Sequence, residues 1–252
     1  MGKFFLYAYL ILLLRYVAIA GGFFFIFYII KPVRFLKLRL QSDFPQKKDY
    51  LREIGYSILT FVFIALYVFI ILRSPVKKYT LMYDRISDYG WIYFAASIVF
   101  ALIVHDFYFY WTHRFMHHPR IFKIFHRVHH LSTNPSPWAA FAFHPLEALV
   151  EAGILPVLVF IMPMNRFAVL IFFVISTVIN VYGHLGYEIY PEWLIKSSAG
   201  KWLNTSVSHN MHHKYFKGNY GFYTRVWDVV FGTVNPDYDR KVNELFGKRV
   251  GT

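Results

Sequence analysis

The sequence predicts an all-α integral membrane protein: about four transmembrane helices, or helix-hairpin equivalents, carrying a helical cap outside the bilayer. Three observations lead there. Of 252 residues, 57% are hydrophobic and only 16% charged, too apolar a balance for a water-soluble domain of this length. Several nearly uncharged runs approach the roughly 20 residues that cross a bilayer as a helix. All twelve histidines fall between His105 and His213, outside the longest apolar runs. Without an internal repeat or low-complexity linker, 1–252 reads as a single membrane-embedded domain. Within it, 1–104 is mainly transmembrane helix, 105–151 and 183–252 form the cap, and 152–182 is a membrane hairpin.

The first run, 4–30, is interrupted only by Arg15, which must be buried against protein or reach the interface. Lys3 and the small residues 18–20 imitate a cleavable signal. Arg15 and the renewed apolar run 23–30 favour a retained anchor helix instead. The run 54–72 is uncharged between Glu53 and Arg73 and is the cleanest span. A third, 89–104, continues into the aromatic stretch 107–111. The last region has two short arms, 152–164 and 167–182, separated by Asn165-Arg166. These arms either borrow flanking residues or make a partly inserted hairpin.

Charge orients these elements. Segments 31–53, 105–151 and 183–252 carry twenty of the 27 Lys and Arg residues, against six on the opposite side. The positive-inside rule therefore puts the cap in the cytoplasm. The net charge of +13 fits anionic lipid headgroups better than nucleic acid, because no run of five or six basic residues occurs. The absence of cysteine excludes disulfides, thiolate zinc sites and iron–sulfur clusters, so any metal must be held by nitrogen or oxygen.

The histidines supply that nitrogen. His113 and His117 are one helical turn apart. His126, His129 and His130 have the spacing H-x-x-H-H, predicted to occupy one helical face, and His209, His212 and His213 repeat it. Burying eight imidazoles near a bilayer without a shared ligand would be destabilising. Eight are too many for one ion and fit a dinuclear site, with His184 of "VYGHLG" as a ninth ligand. His144 of "FAFHPLE" has a supporting or capping role, and His118 beside Pro119 is a helix-end residue. Asp106, seven residues before His113, either orients a ligand imidazole or is a border charge.

In order and spacing, "DFYFYWTHRFMHH", the two H-x-x-H-H clusters, "FHPLE", the glycine-flanked His184 and "NYGFYTRVWDVVFGT" resemble the sterol desaturase and fatty acid hydroxylase superfamily of membrane di-iron enzymes. The segment "SPWAAFAFHPLEA" is most similar to that of the lathosterol-oxidase type. The resemblance implies that the nine histidines above ligate two iron ions, for which zinc can substitute in purified protein. It implies an oxygen-dependent oxidoreductase that hydroxylates or desaturates an unactivated C–H position of a membrane lipid, sterol-like or fatty-acyl, with dioxygen as co-substrate. Trp227 and Asp228 match its terminal signature, Trp227 seating at the interface and Asp228 bracing an Arg or His. Electrons must come from a separate protein, a cytochrome b-type or ferredoxin-like carrier with its reductase, because the chain has neither an iron–sulfur motif nor a dinucleotide turn.

Aromatic residues Phe107, Tyr108, Tyr110, Trp111, Trp138, Phe141 and Phe143 are the expected lining of a lipid tunnel. A zinc-dependent hydrolase would want H-E-x-x-H or a carboxylate base beside a ligand, and the sequence shows neither. A metal transporter or sensor would hold ligands at mid-bilayer, away from where these histidines fall. A bacterial inner membrane is the expected setting rather than endoplasmic reticulum, in the absence of a retrieval signal. Residues 1–88 carry no motif of the resemblance.

Overall fold

The structure, a computed structural model, describes residues 2–31 and 33–247. It is mostly helical, and the last residues of the expected cap, 248–252, lie outside the described residues. Helix α1 (Gly2–Phe24) runs into a wider π-turn over Phe25–Ile30. Then come α2 (Lys47–Arg73) and α3 (Gly90–Met116), both long enough to span a bilayer. Short α4 (Pro119–Phe125), α5 (Pro145–Ala152) and α6 (Ile154–Ile161) lead into α7 (Arg166–Gly183), the fourth candidate span. The remaining cap contains α8 (Ser206–Tyr215), α9 (Val226–Val230) and α10 (Tyr238–Gly247).

Local chemistry explains the ends of these helices. Gln46 and Asp49 form a reciprocal capping box at the start of α2. The chain reverses into α3 through Gly90 at φ +79°, a conformation that a side chain would oppose. The spans keep apolar side chains on their outer faces, with Leu14 66% and Ile92 89% exposed, as lipid contact requires. Inward, Ala8, Leu12, Ala20, Phe61 and Ala65 pack α1 closely on α2. Both Tyr16 (2.8 Å) and Ser57 (3.1 Å) donate to the Trp138 carbonyl, which seats the 137–141 turn between these helices. Glu53 accepts from Ser136 beside it.

The tip of the hairpin is held by a short pairing: Met164–Asn165 (β2) lies parallel to Met82–Tyr83 (β1), at the end of α3 remote from the histidines. The 27 residues of α3 separate those two ends by roughly 40 Å. The first arm is lengthened by α5, assigned above to the cap, which runs on into α6; residues 145–161 rise roughly 25 Å together. Asn165, fully buried, accepts from the Phe167 N–H and donates to the Tyr83 and Asp84 carbonyls. It therefore caps α7 and ties the two remote loops together.

Asn165→Ala should remove both roles and lower stability by about 1–2 kcal/mol. Thermal unfolding in detergent measures this, and an unchanged midpoint would show that the loops are held without Asn165.

Candidate metal centre

At the other end of the bundle, five segments bring their imidazoles together. His113 lies on the last turn of α3 and His117 closes that helix. The chain turns at His118, whose side chain caps α4 by accepting from the Arg120 N–H (3.4 Å). His126 ends α4, and His129 and His130 sit on a following 3-10 turn. His184 ends α7, and α8, capped by Thr205, presents His209, His212 and His213. All are buried except His117, which is half-buried.

These nine divide into two groups. His113, His117, His126, His130 and His212 converge in one; His129, His184, His209 and His213 converge in the other. The H-x-x-H-H cluster at 126 therefore does not share one helical face. Helix α4 is only seven residues long, and the turn after it sends His129 to the second group while His126 and His130 join the first. On α8 the helical spacing survives: His209 and His213, four apart, meet in the second group, and His212 between them turns to the first.

Hydrogen bonds at the far ring nitrogen fix how the rings present themselves. The Nδ1 atoms of His113, His184, His212 and His213 lie 2.7–3.0 Å from the carbonyls of Tyr220, Asn180, Gly218 and Ser132. A carbonyl only accepts, so each Nδ1 carries the proton and each Nε2 a lone pair. His126 Nδ1 bonds Glu147 Oε1 at 2.6 Å. Yet the Nε2 atoms of His184 and His213 stand 3.1 Å apart, those of His209 and His184 3.0 Å, and those of His212 and His130 3.1 Å. The buried Nε2 atoms of His113 and His126 have no partner at all. For His184 and His213, both held by carbonyls at Nδ1, that spacing sets two lone pairs against each other with no proton between them, and they repel. Nitrogen donors about 2.1 Å from a common cation stand about 3 Å apart, so the residues fit a metal ion in each group.

Protonation agrees with ligation. Burial, reinforced by neighbouring imidazoles, holds His126, His129, His130, His209 and His213 well below the ordinary histidine range. Burial lowers His184 and His212 to about 4. At neutral pH the rings are neutral, the form that binds metal.

Two supporting acids act differently from expectation, while His144 takes the capping role expected of it. Asp106 shares a helix face with His113, but two turns are roughly 10 Å, too far to reach its ring. It accepts instead from the Tyr223 and Thr224 N–H groups and the Thr224 hydroxyl. Asp228 braces neither an Arg nor a His side chain by hydrogen bond; it accepts from the Tyr220 and Gly221 N–H groups and the Thr233 hydroxyl. The two acids thus hold the 218–224 loop, whose Gly218 and Tyr220 carbonyls orient His212 and His113. Gly221 is required there, since a Cβ would lie 2.1 Å from the Thr224 carbonyl oxygen. His144 caps α5 by accepting from the Leu146 N–H at 3.3 Å and stays out of both groups.

Glu147 was missed. It lies in "FHPLE", three residues after His144, and that motif was the available signal. A carboxylate beside a candidate ligand does exist here, contrary to expectation, but it faces Nδ1 of His126, behind the ring.

An apolar chamber inside the bundle abuts both groups. Phe143 lines it and lies 5.1 Å, ring to ring, from His129; Phe109 lines it and lies 4.9 Å from His113. Of the aromatic residues expected there, Phe141 and Phe143 do line the chamber. Phe107, Tyr108 and Trp111 border a separate groove. Tyr110 stacks on Phe231, and Trp138 packs against Tyr16. Trp227 packs edge-on against Phe107.

Comparison with known proteins gives the following. The fatty acid hydroxylase family model matches residues 98–233. The Delta(7)-sterol 5(6)-desaturase of Gibberella zeae is 33% identical over 74% of this chain and 56% of its own length. One from Aspergillus fumigatus is 32% identical, over 72% and 62%. Mouse lathosterol oxidase is 29% identical, over 74% and 62%. The matches thus span 56 to 62% of the length of these relatives. No solved structure matches.

Glu147→Ala should weaken divalent-metal binding about 10- to 100-fold, and Glu147→Gln less, because its amide carbonyl still accepts from Nδ1. Competition with a chelator measures this, and equal affinity in all three proteins would reduce Glu147 to a buried bystander.

Proposed function

The chain belongs to the fatty acid hydroxylase family, and from that premise we propose that it is an oxygen-dependent membrane oxidoreductase. It hydroxylates or desaturates an unactivated C–H position of a lipid, sterol-like or fatty-acyl. Two iron ions are held, one by His113, His117, His126, His130 and His212, the other by His129, His184, His209 and His213. What carries the reading is the pair of all-histidine groups with bare Nε2 atoms, each touching the wall of one apolar chamber. The names of the sterol desaturase and lathosterol oxidase relatives support a lipid substrate.

Iron bound there supplies the reduction of dioxygen and the oxidising power that no side chain has. The chain's own residues do the rest. Carbonyls 132, 180, 218 and 220 keep the Nδ1 protons of His213, His184, His212 and His113 in place, so that the Nε2 of each of these four stays basic. Glu147 orients His126. Phe109 and Phe143 exclude water and carry the apolar wall up to the rings, so that a lipid carbon is presented to the site in a fixed attitude. Which neighbouring hydrogens the wall presents decides between hydroxylation and desaturation.

Electrons come from a separate carrier, cytochrome b-type or ferredoxin-like, with its reductase. A shallow groove reaches His130 between Lys123, Arg127 and Phe216, and its positive rim suits an acidic carrier. The whole chain acts as one multi-pass domain, 1–252, its metal site on the cytoplasmic face of a bacterial inner membrane. The same nitrogens also suit zinc, which keeps a zinc-dependent hydrolase as the second reading.

Protein made with iron-57 and purified without oxygen should show about two coupled irons per chain by Mössbauer spectroscopy, with a spectrum changed by dioxygen. Stoichiometric zinc with no iron uptake would bring the hydrolase forward. His129→Ala and His212→Ala should each abolish lipid oxidation in a folded membrane protein, and turnover retained in either would remove that residue from the ligand set. In Lys217→Cys the thiol should react only with reagent supplied from the cytoplasmic side; labelling from outside would invert the orientation.

A further inference from the structure

The first metal group has an oxidisable neighbour that the second lacks. The ring of Tyr220 lies 5.2 Å from His117, 5.5 Å from His212 and 5.7 Å from His113, centre to centre. Beyond other histidines, the second group meets only the Phe143 ring among the described residues. From Tyr220 the rings lead outward. Tyr110 is 6.3 Å away, and Trp111, 39% exposed, is 5.4 Å from Tyr110. The chamber wall against the histidines is by contrast phenylalanine, Phe109 and Phe143, whose rings give up an electron far less readily than a phenol or an indole.

Tyr110 is fully buried, and its hydroxyl sits in a directed chain. Thr233 donates its one hydroxyl proton to Asp228 Oδ1 at 2.6 Å, so its oxygen, 3.1 Å from the Tyr110 hydroxyl, accepts from that hydroxyl. Arg114 donates to the Tyr110 oxygen at 3.0 Å. The phenol proton therefore has a route to a carboxylate. Burial pushes the Asp228 carboxyl up from its ordinary range, which makes it a better proton acceptor. A phenyl ring would fill the same space without needing any of these partners.

We propose that Tyr220, Tyr110 and Trp111 form a relay that drains oxidising equivalents from the first metal group to the protein surface when the chamber holds no lipid. The proposal rests on the oxidoreductase reading and adds to it the control of a damaging side reaction. In each transfer the metal group takes one electron, through Tyr220, from Tyr110. The phenol O–H bond breaks; its proton passes to Thr233, whose own proton passes to Asp228, and Arg114 keeps its hydrogen bond to the phenoxyl oxygen. Trp111 then gives an electron to Tyr110 and the protons return. A reductant of the hydroquinone class refills Trp111 at the surface and releases a proton to water. Two transfers, with two electrons from the carrier and four protons from water, reduce one dioxygen to two waters. The ligand histidines are thereby spared oxidation.

In the first test, iron-loaded, reduced full-length protein is mixed with dioxygen in the absence of lipid and freeze-quenched for electron paramagnetic resonance. The parent should show a tyrosyl signal that added hydroquinone removes. Tyr110→Phe and Thr233→Val should each lower its yield about tenfold, and Thr233→Ser, which keeps the hydroxyl, should restore it. Trp111→Phe should leave the signal but slow its removal by hydroquinone about tenfold. In the second test, zinc-loaded protein carries a ruthenium photosensitiser on the single thiol of Lys217→Cys, so that a flash supplies the oxidant without dioxygen. Tyr110 should be oxidised there too, and Tyr110→Phe should remove that radical. A radical unchanged by Tyr110→Phe in both tests would overturn the proposal, as would full yield in metal-loaded Thr233→Val or a loss there that Thr233→Ser does not repair. Iron content and dioxygen uptake are read on the same samples. A flash-generated Tyr110 radical without dioxygen uptake defeats the oxidase reading alone, and uptake with no radical in either test defeats only the relay.

Discussion

Lone pairs of neutral imidazoles point at one another across about 3 Å in a dry interior, and the architecture at this end of the molecule is arranged around that constraint. Without a cation the arrangement is repulsive. With one in each group, the same contacts become coordination. The acceptors behind the rings enforce it, because an Nδ1 proton committed to a carbonyl cannot move to Nε2 and relieve the repulsion by a hydrogen bond between rings.

That constraint explains features which look unrelated in the chain. The loop at 218–224 has no regular structure, yet Asp106, Asp228 and Asn219 all bond to it or from it, because two of its carbonyls aim histidines. Trp138 and the turn around it are clamped between α1 and α2, because Phe141 and Phe143 beside it form the chamber wall under His129. The π-turn, the hairpin tip and the capping residues set the lengths of rigid helices so that their ends meet at one level. Precision at the rings is inherited from helices whose outer faces need only be greasy.

Much of this was legible in the sequence because histidine spacing and apolar run length are local signals. The nine histidines that converge are the nine that spacing and family resemblance single out. Their partition was hidden, since His126, His129 and His130 leave the helical period just where it would have to be read. Asp106 shows the opposite failure, a correct face assignment defeated by axial distance. The carbonyls of Ser132, Asn180, Gly218 and Tyr220 leave no trace, because every residue has one and only the fold selects which are aimed. The pairing of residues 82–83 with 164–165 was equally silent, being a contact between two-residue strands about eighty positions apart.

The division into groups also has a consequence for the order in which the molecule is made. The first group takes four rings from before residue 131 and its fifth from His212; the second takes one ring from His129 and three from His184 onward. Neither is assembled when only the early or only the late half of the chain has left the ribosome. Ions bound to both groups would act as two clasps joining segments some eighty residues apart, closing long loops that the unfolded chain keeps open. Nascent chains would wait for α8 before acquiring metal, and a chain cut before it would carry imidazoles but no finished clasp.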